Sequence, residues 1–408
     1  MAYIKRTLEK RMIEISREYA CVLVTGPRQV GKSTMLQHLS EGGDRNMVTL
    51  DDTAERKLAK TDPALFLDLH PAPVLIDEVQ YAPELFSYIK IKVDEGAAPG
   101  SYWLTGSQAF SLMEPAQESL AGRTAIVHMP ALSQTELYGD GETSPFTVSL
   151  DAIRDRARHL APCSAAEMYD RIWRGALPGH RSGKYTDRDL YYSSYIRTYI
   201  DRDVTDIIPG VDKLLYSDFI RAAACRAGQM LNIHDIAQDT GVSDDTAKRW
   251  LAVMERSGVI FYLRPYSNFL LKRTVKTPKM YFFDTGLVAY LTRYSSPEIL
   301  MNGAINGAIL ENYTVAEIMK TYHNDLKECY FHYYRDKESN EIDLVIESDG
   351  ETHPIEIKKS ANPGTELAGA FGILDKGSVP RGTGAILCLR ESLSAIDRTA
   401  YTVPIWMI

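Results

Sequence analysis

Ala20-Cys21-Val22-Leu23-Val24-Thr25 runs directly into Gly26-Pro27-Arg28-Gln29-Val30-Gly31-Lys32-Ser33-Thr34. The first six residues form a short β-branched, apolar run that predicts a buried strand, and the next nine carry the pattern G-x-x-x-x-G-K-S at a strand-to-helix turn. Glycines in such a turn let backbone N–H groups curl around phosphate oxygens. Lys32 then neutralises the β and γ oxygens, and the Ser33 hydroxyl is placed to ligate Mg²⁺ where a helix begins. All nine residues, Gly26, Pro27, Arg28, Gln29, Val30, Gly31, Lys32, Ser33 and Thr34, are therefore expected to hold ATP.

Two more apolar runs end in polar residues. The strand predicted over 73–76 ends in Asp77-Glu78, which places one carboxylate near the metal and the next where an attacking water lies. The strand predicted over 101–104 ends in Thr105-Gly106-Ser107, small polar residues suited to sensing the γ-phosphate or the water. Helices expected over 53–60 and 84–94 alternate with these strands, the rhythm of a parallel sheet covered on both faces. All three polar clusters follow the carboxyl ends of their strands, where such sheets bind ligands.

The chain has 408 residues, enough for two or three cores. No apolar run approaches the roughly 18 residues of a membrane span, and Met1 to Lys10 contains no secretory core segment, so a cytoplasmic, non-membrane protein is expected. Its five cysteines are far apart and read as reduced thiols. The net charge of -8 argues against a wholly basic DNA-coating protein. Between Gly241 and Met280, however, Lys248, Arg249, Arg256, Arg264, Lys272, Arg273, Lys276 and Lys279 face only Asp244, Asp245 and Glu255.

The chain resembles the AAA-type P-loop ATPases that carry a C-terminal domain of unknown function. The resemblance rests on the loop at Gly26–Ser33, on Leu75-Ile76-Asp77-Glu78-Val79-Gln80, on Leu104-Thr105-Gly106-Ser107, on Leu120-Ala121-Gly122-Arg123 and on Lys279 to Leu287. It implies ATP and Mg²⁺ as cofactors and Glu78, Lys32, Ser107 and Thr105 as catalytic residues. It also implies a homo-oligomer, since such relatives commonly form rings. The family's sheet order would put the strand before Ser107 between the loop strand and the Asp77 strand. Arg123 reads either as an arginine finger, in cis or from a neighbour, or as a surface ion pair. Arg6, expected in an N-terminal helix, reads either as a cover for the adenine or as part of a solvated face.

Beyond a loop at 139–145, a helical region rich in tyrosine and arginine is expected, with Tyr191 to Asp203 read as a packed helix. Ile233 to Asp239, the turn Thr240-Gly241-Val242 and a helix opened by Ser243 have helix-turn-helix spacing, and a strand expected over 259–263 makes a winged variant. Lys248, Arg249, Arg264, Lys272, Arg273, Lys276 and Lys279 are the expected nucleic-acid contacts; Asp244 and Asp245 would repel phosphate, which leaves a protein-binding winged helix open.

From Gly303 the expected order is helix, three strands, helix, strand, which resembles restriction-endonuclease-like nucleases through Glu311, Asp343 and Glu356-Ile357-Lys358. A two-residue hairpin at Asp349-Gly350 would set Asp343 opposite Glu356, close enough to share a metal ion beside Lys358. The other reading of these residues is an outward charged face, or a nuclease fold without activity. The fold class is thus α/β: an ATPase domain (1–140), a helical connection (141–212), a winged helix-turn-helix (213–280) and a nuclease-like αβββαβ domain (281–408). The function expected is ATP hydrolysis applied to DNA. The alternative is an ATP-dependent switch binding a protein partner.

Overall fold

A computed structural model describes residues 3–106, 122–142, 144–266, 277–338 and 340–408. Strands β1 (Cys21–Thr25), β2 (Asn46–Thr49), β3 (Val74–Asp77), β4 (Tyr102–Gly106) and β5 (Thr124–His128) form a sheet in the order β2-β3-β4-β1-β5, with every pairing parallel. The strand that ends at Gly106 lies between the loop strand and the Asp77 strand, as the resemblance implied.

Both faces of this sheet are covered. Alternate residues of β1 point to opposite sides: Val22 and Val24 join one apolar core with Met35 and Met129, while Cys21 and Leu23 join a second with Phe66, Phe86 and Ile89. That is why β1 reads as a continuous apolar run rather than an alternating one. The helix Pro63–Leu69, unread in the sequence, adds to the second core; Asp62 caps it and Pro63 occupies its first turn.

The first core does not stop at the sheet. It continues through Tyr192, Trp250 and Leu251 into Leu344, Ile355 and Leu387, so the later regions are packed against the N-terminal sheet. Gln134 fastens this junction, its side-chain amide donating to the carbonyls of Ile405, Trp406 and Ile408.

Two helices, Ile233–Thr240 and Asp244–Arg256, are joined by a turn in which Gly241 is left-handed and the Ser243 hydroxyl accepts from Thr246 N–H. Strands β6 (Gln229–Met230), β7 (Ile260–Pro265) and β8 (Lys279–Phe282) pair antiparallel beside them. The expected division follows residue 280. It falls inside β8, and β7 pairs parallel with β9 (Phe331–Arg335), joining these strands to the C-terminal sheet.

That sheet continues through β10 (Glu341–Ser348), β11 (Glu351–Lys358), β12 (Gly384–Cys388), β14 (Ala400–Pro404) and β13 (Ser394–Ala395). The last two were unread. The Asp349-Gly350 turn forms as expected, both residues having positive φ and Ser348 aligned with Glu351. The expected helix near 365–374 is instead a 3₁₀ helix, Thr365–Lys376, whose Gly369 and Gly372 disfavour a regular α-helix. Among the described residues no helix is long and apolar enough to cross a membrane.

Candidate functional site: the phosphate loop and the charged C-terminal cluster

The loop at the end of β1 is shaped by what surrounds it. Gly26 has φ 146°, and a Cβ there would lie 2.2 Å from the Met129 carbonyl oxygen, so only glycine fits. Lys32 opens the helix Lys32–Ser40, and its ammonium donates to the carbonyls of Gly26 and Pro27 at 2.9 and 2.8 Å. Burial lowers the Lys32 pKa to about 8, against the opposing pull of the Glu78 carboxylate.

Asp77 gathers the second motif onto the first. The Ser33 hydroxyl donates to Asp77 Oδ1 at 2.5 Å, and the Thr105 hydroxyl donates to the same oxygen. Thr105 also accepts from Glu78 N–H at 3.2 Å. Glu78 has φ 58° and ψ 45°, a left-handed conformation rare for a side-chain-bearing residue, and its Oε2 accepts from the Gln80 amide. Hydroxyl and carboxylate oxygens side by side are the hard donor set that Mg²⁺ takes. Ser33 and Asp77 would hold it. Ser107 lies outside the described residues.

Arg6 is not in the N-terminal helix, which begins at Leu8, and it does not sit on a solvated face. Its buried guanidinium donates to the carbonyls of Val30, Pro130 and Ala131 and to Glu136, and so braces the phosphate loop from behind. Arg123 takes the second of its two expected readings, a surface ion pair. Thr124 aligns with Cys21 at the start of β1, while the loop follows Thr25 at its end. Arg123 therefore lies at the opposite edge of the sheet, roughly 16 Å along the strands, and pairs with Asp94. It does not reach the loop of its own chain.

The sequence reading missed one wall of the site. A cavity of about 1020 Å³ opens beside Gly31 and Thr34, between Tyr3 and Arg6 on one side and Tyr185 and Tyr191 on the other. It is large enough for a nucleoside. Asp203 was missed too. It accepts from Arg28 Nε at 2.6 Å, which brings the helical region to the loop.

Of the expected nucleic-acid contacts, Lys248, Arg249 and Arg264 are exposed, and Lys248 pairs with Asp245 at 3.3 Å. Lys272, Arg273 and Lys276 lie outside the described residues. Lys279 is a correction: it is buried, with its ammonium 2.9 Å from Glu311, 2.7 Å from Glu341 and 3.7 Å from Asp343. Strand β8 carries it inside because both its faces are covered.

The expected metal pair, Asp343 and Glu356, lies in the same place. The β10–β11 register runs to Leu344 opposite Ile355, one step short of Asp343 and Glu356, as the hairpin predicted. A β-bulge between Ile342 and Val345 breaks the pairing with β9, and the Asp343 carboxylate accepts from Ile357 N–H at 2.8 Å. Lys358 bonds Glu356 at 2.5 Å and lies 3.5 Å from Asp343. Tyr281 donates to Glu311 at 2.7 Å. The cations between these carboxylates are two lysines, and among the described residues no three His, Cys, Asp or Glu side chains are grouped so as to hold a metal ion. Burial, then the Asp343 charge, pushes the Glu311 and Glu356 pKa values well above the usual carboxylate range. Burial would lower the Lys279 pKa, but Glu311, Asp343 and Glu341 raise it. Glu341, two residues before Asp343 on the same strand face, was legible and overlooked.

Residues 18–138 match the family described as AAA domain, residues 165–298 a domain of unknown function (DUF8612), and residues 306–408 a domain of unknown function (DUF4143). Uncharacterized proteins of Mycobacterium tuberculosis and Mycobacterium bovis are each 27% identical over 357 residues, 87% of this chain and 74% of theirs. Among solved structures, a Walker-type ATPase of Pyrococcus abyssi aligns over 71% of this chain and 96% of its own, at 14% identity and a TM-score of 0.45. The RuvB Holliday junction branch migration motor of Thermotoga maritima aligns over 63% and 89%, at 17% identity and a TM-score of 0.32. With the loop, the Asp77 network and the parallel sheet in place, the chain carries an AAA-type P-loop ATPase domain at its N-terminal end and a DUF4143 domain at its C-terminal end.

Proposed function

We propose that the chain hydrolyses ATP at Lys32, Asp77 and Glu78 and applies the cycle to DNA held by the helix pair Ile233–Arg256 and its basic edge. The observation that carries hydrolysis is the shared oxygen of Asp77, which ties Ser33, Thr105 and the backbone of Glu78 into one unit beside the phosphate loop. Mg²⁺, when bound, offsets charge on the β- and γ-phosphates. Lys32 orients the same oxygens. Glu78 takes the proton of the attacking water as the water oxygen bonds to Pγ; the bond from Pγ to the bridging oxygen breaks, and ADP leaves with that electron pair. Gln80 holds the far oxygen of Glu78 during this step. The test is phosphate release by the full chain with Mg²⁺: steady turnover is expected, and its absence would contradict the reading.

For DNA, the support is the spacing of the helix pair, the antiparallel strands β6–β8 beside it and the exposed Lys248, Arg249 and Arg264. Without Lys279, six expected phosphate contacts remain at Lys248, Arg249, Arg264, Lys272, Arg273 and Lys276. If each meets a phosphate, counterion release predicts a log–log salt slope of about -5.4. No DNA binding at low salt would favour the protein-partner switch, for which the Asp245–Lys248 pair speaks.

For the C-terminal domain we propose a charge-balanced core without nuclease activity, because Lys279 and Lys358 already pair with its carboxylates. Calorimetry with Mn²⁺ should show no binding that depends on Asp343. Such binding, with DNA cleavage, would restore the nuclease reading.

A further inference from the structure

Two residues of the phosphate loop are tied to a part of the chain outside the motif. Arg28 Nε donates to Asp203 Oδ2 at 2.6 Å, and the two side chains are only 12% and 3% exposed. Next to them, Gly258 approaches so closely that a Cβ there would lie 2.6 Å from Pro27 Cγ. Asp203 belongs to Tyr199–Val204, a π-helical segment that interrupts the helical run from Arg188 to Ile207. Such segments are uncommon and concentrate at functional sites.

A loop that wraps phosphates with backbone N–H groups has no need of a guanidinium at this position. Burying an arginine–aspartate pair costs desolvation that the pair itself does not reliably return. Arg28 precedes Lys32 by four residues, within the turn that curls around the β- and γ-phosphates. The charges of Glu78 and Asp203 both act on Arg28, and all three act on Lys32, so the four groups share one neighbourhood.

We propose that Arg28 is the cation this chain brings to its own γ-phosphate, and that Asp203 is the positioning residue that holds it there. The inference rests on ATP hydrolysis at the loop. It supplies in cis the charge that Arg123, at the far edge of the sheet, does not. With Nε engaged by Asp203, the terminal nitrogens Nη1 and Nη2 are the donors offered to a phosphoryl oxygen as negative charge spreads over the transferring group. The same pair lets the helical region influence turnover, because any shift of the segment Tyr199–Val204 moves Arg28.

The experiment measures kcat, KM and binding of a fluorescent ATP analogue for the full chain and four variants, with thermal melting as a check on folding. Arg28→Ala should lower kcat by about 10³-fold or more while nucleotide affinity changes less than about tenfold. Arg28→Lys should not restore it, since a point charge does not reproduce the fork. Asp203→Asn should lower kcat by about 10²-fold with KM little changed, the effect of a small misplacement, and Asp203→Glu should recover part of the loss. A folded Arg28→Ala chain that turns over ATP like the parent, or whose whole deficit lies in nucleotide affinity, would overturn the proposal alone. A parent chain that binds ATP without turning it over would overturn the hydrolysis reading and this inference together.

Discussion

Two places in this molecule gather acidic residues, and they resolve the charge differently. At the phosphate loop, Asp77 is met by hydroxyls from Ser33 and Thr105, and the nearby cation, Lys32, bonds backbone carbonyls. The oxygens of Asp77 are thus left among ligands that suit a hard metal ion. In the C-terminal sheet, Glu311, Glu341, Asp343 and Glu356 are met directly by Lys279 and Lys358. Like carboxylates close together need a cation between them. Whether that cation is a resident ammonium or an exchangeable ion separates a structural cluster from a reaction centre.

The contrast predicts opposite consequences for removing the lysine. Lys32→Ala should cut turnover by at least about 10²-fold, the loss associated with one preorganised donor to developing charge, and should weaken ATP binding, with folding preserved. Normal turnover would erase the contrast. Lys279→Ala should leave the ATP chemistry in place but cost about 3–5 kcal/mol of stability, because it strands buried carboxylates without a partner. Urea unfolding measures this, and an unchanged midpoint would mean that the cluster is not held by Lys279.

How much of each place was legible follows from where its parts lie in the chain. The phosphate loop is local: strand, turn and helix are contiguous from Cys21 to Ser40, and Asp77 and Glu78 announce themselves at the end of an apolar run. The β10–β11 register was equally readable, because Asp349-Gly350 demands two positive φ values and so sets the pairing. Lys279 was not readable. It closes a basic run that looks like surface, and only the pairing of β8 with β7, together with the packing of Glu311 against it, takes it inside. Asp203 was hidden for a similar reason. An α-helical reading of the stretch gives no sign of the π-helical segment that carries it, and its partner Arg28 lies 175 positions earlier. The cavity wall at Tyr185 and Tyr191 likewise depends on how the helical region folds back over Gly31.

The lysines can also be separated by pH. Before nucleotide arrives, burial lowers the Lys32 pKa to about 8. Phosphate raises that pKa, so ATP binding should take up a proton near pH 8, and affinity should fall by up to about tenfold for each pH unit above it. Calorimetry in two buffers of different ionisation enthalpy detects the uptake; a flat affinity from pH 7 to 9.5 would contradict it.

The smallest effect belongs to Arg123. Its partly exposed pair with Asp94 is worth about 0–1 kcal/mol, so Arg123→Ala should leave turnover within about twofold. A loss that grows with protein concentration would instead assign it to a neighbouring copy's nucleotide.

The claim on which the rest depends is that Asp77 and Glu78 divide metal support from water activation. Glu78→Gln separates them most directly, with ATP binding and phosphate release measured on the same folded sample. Binding should stay within about tenfold of the parent while release slows by roughly 10²–10⁴-fold, the range of a lost general base. Release at the parent rate, or binding lost together with it, would contradict that division.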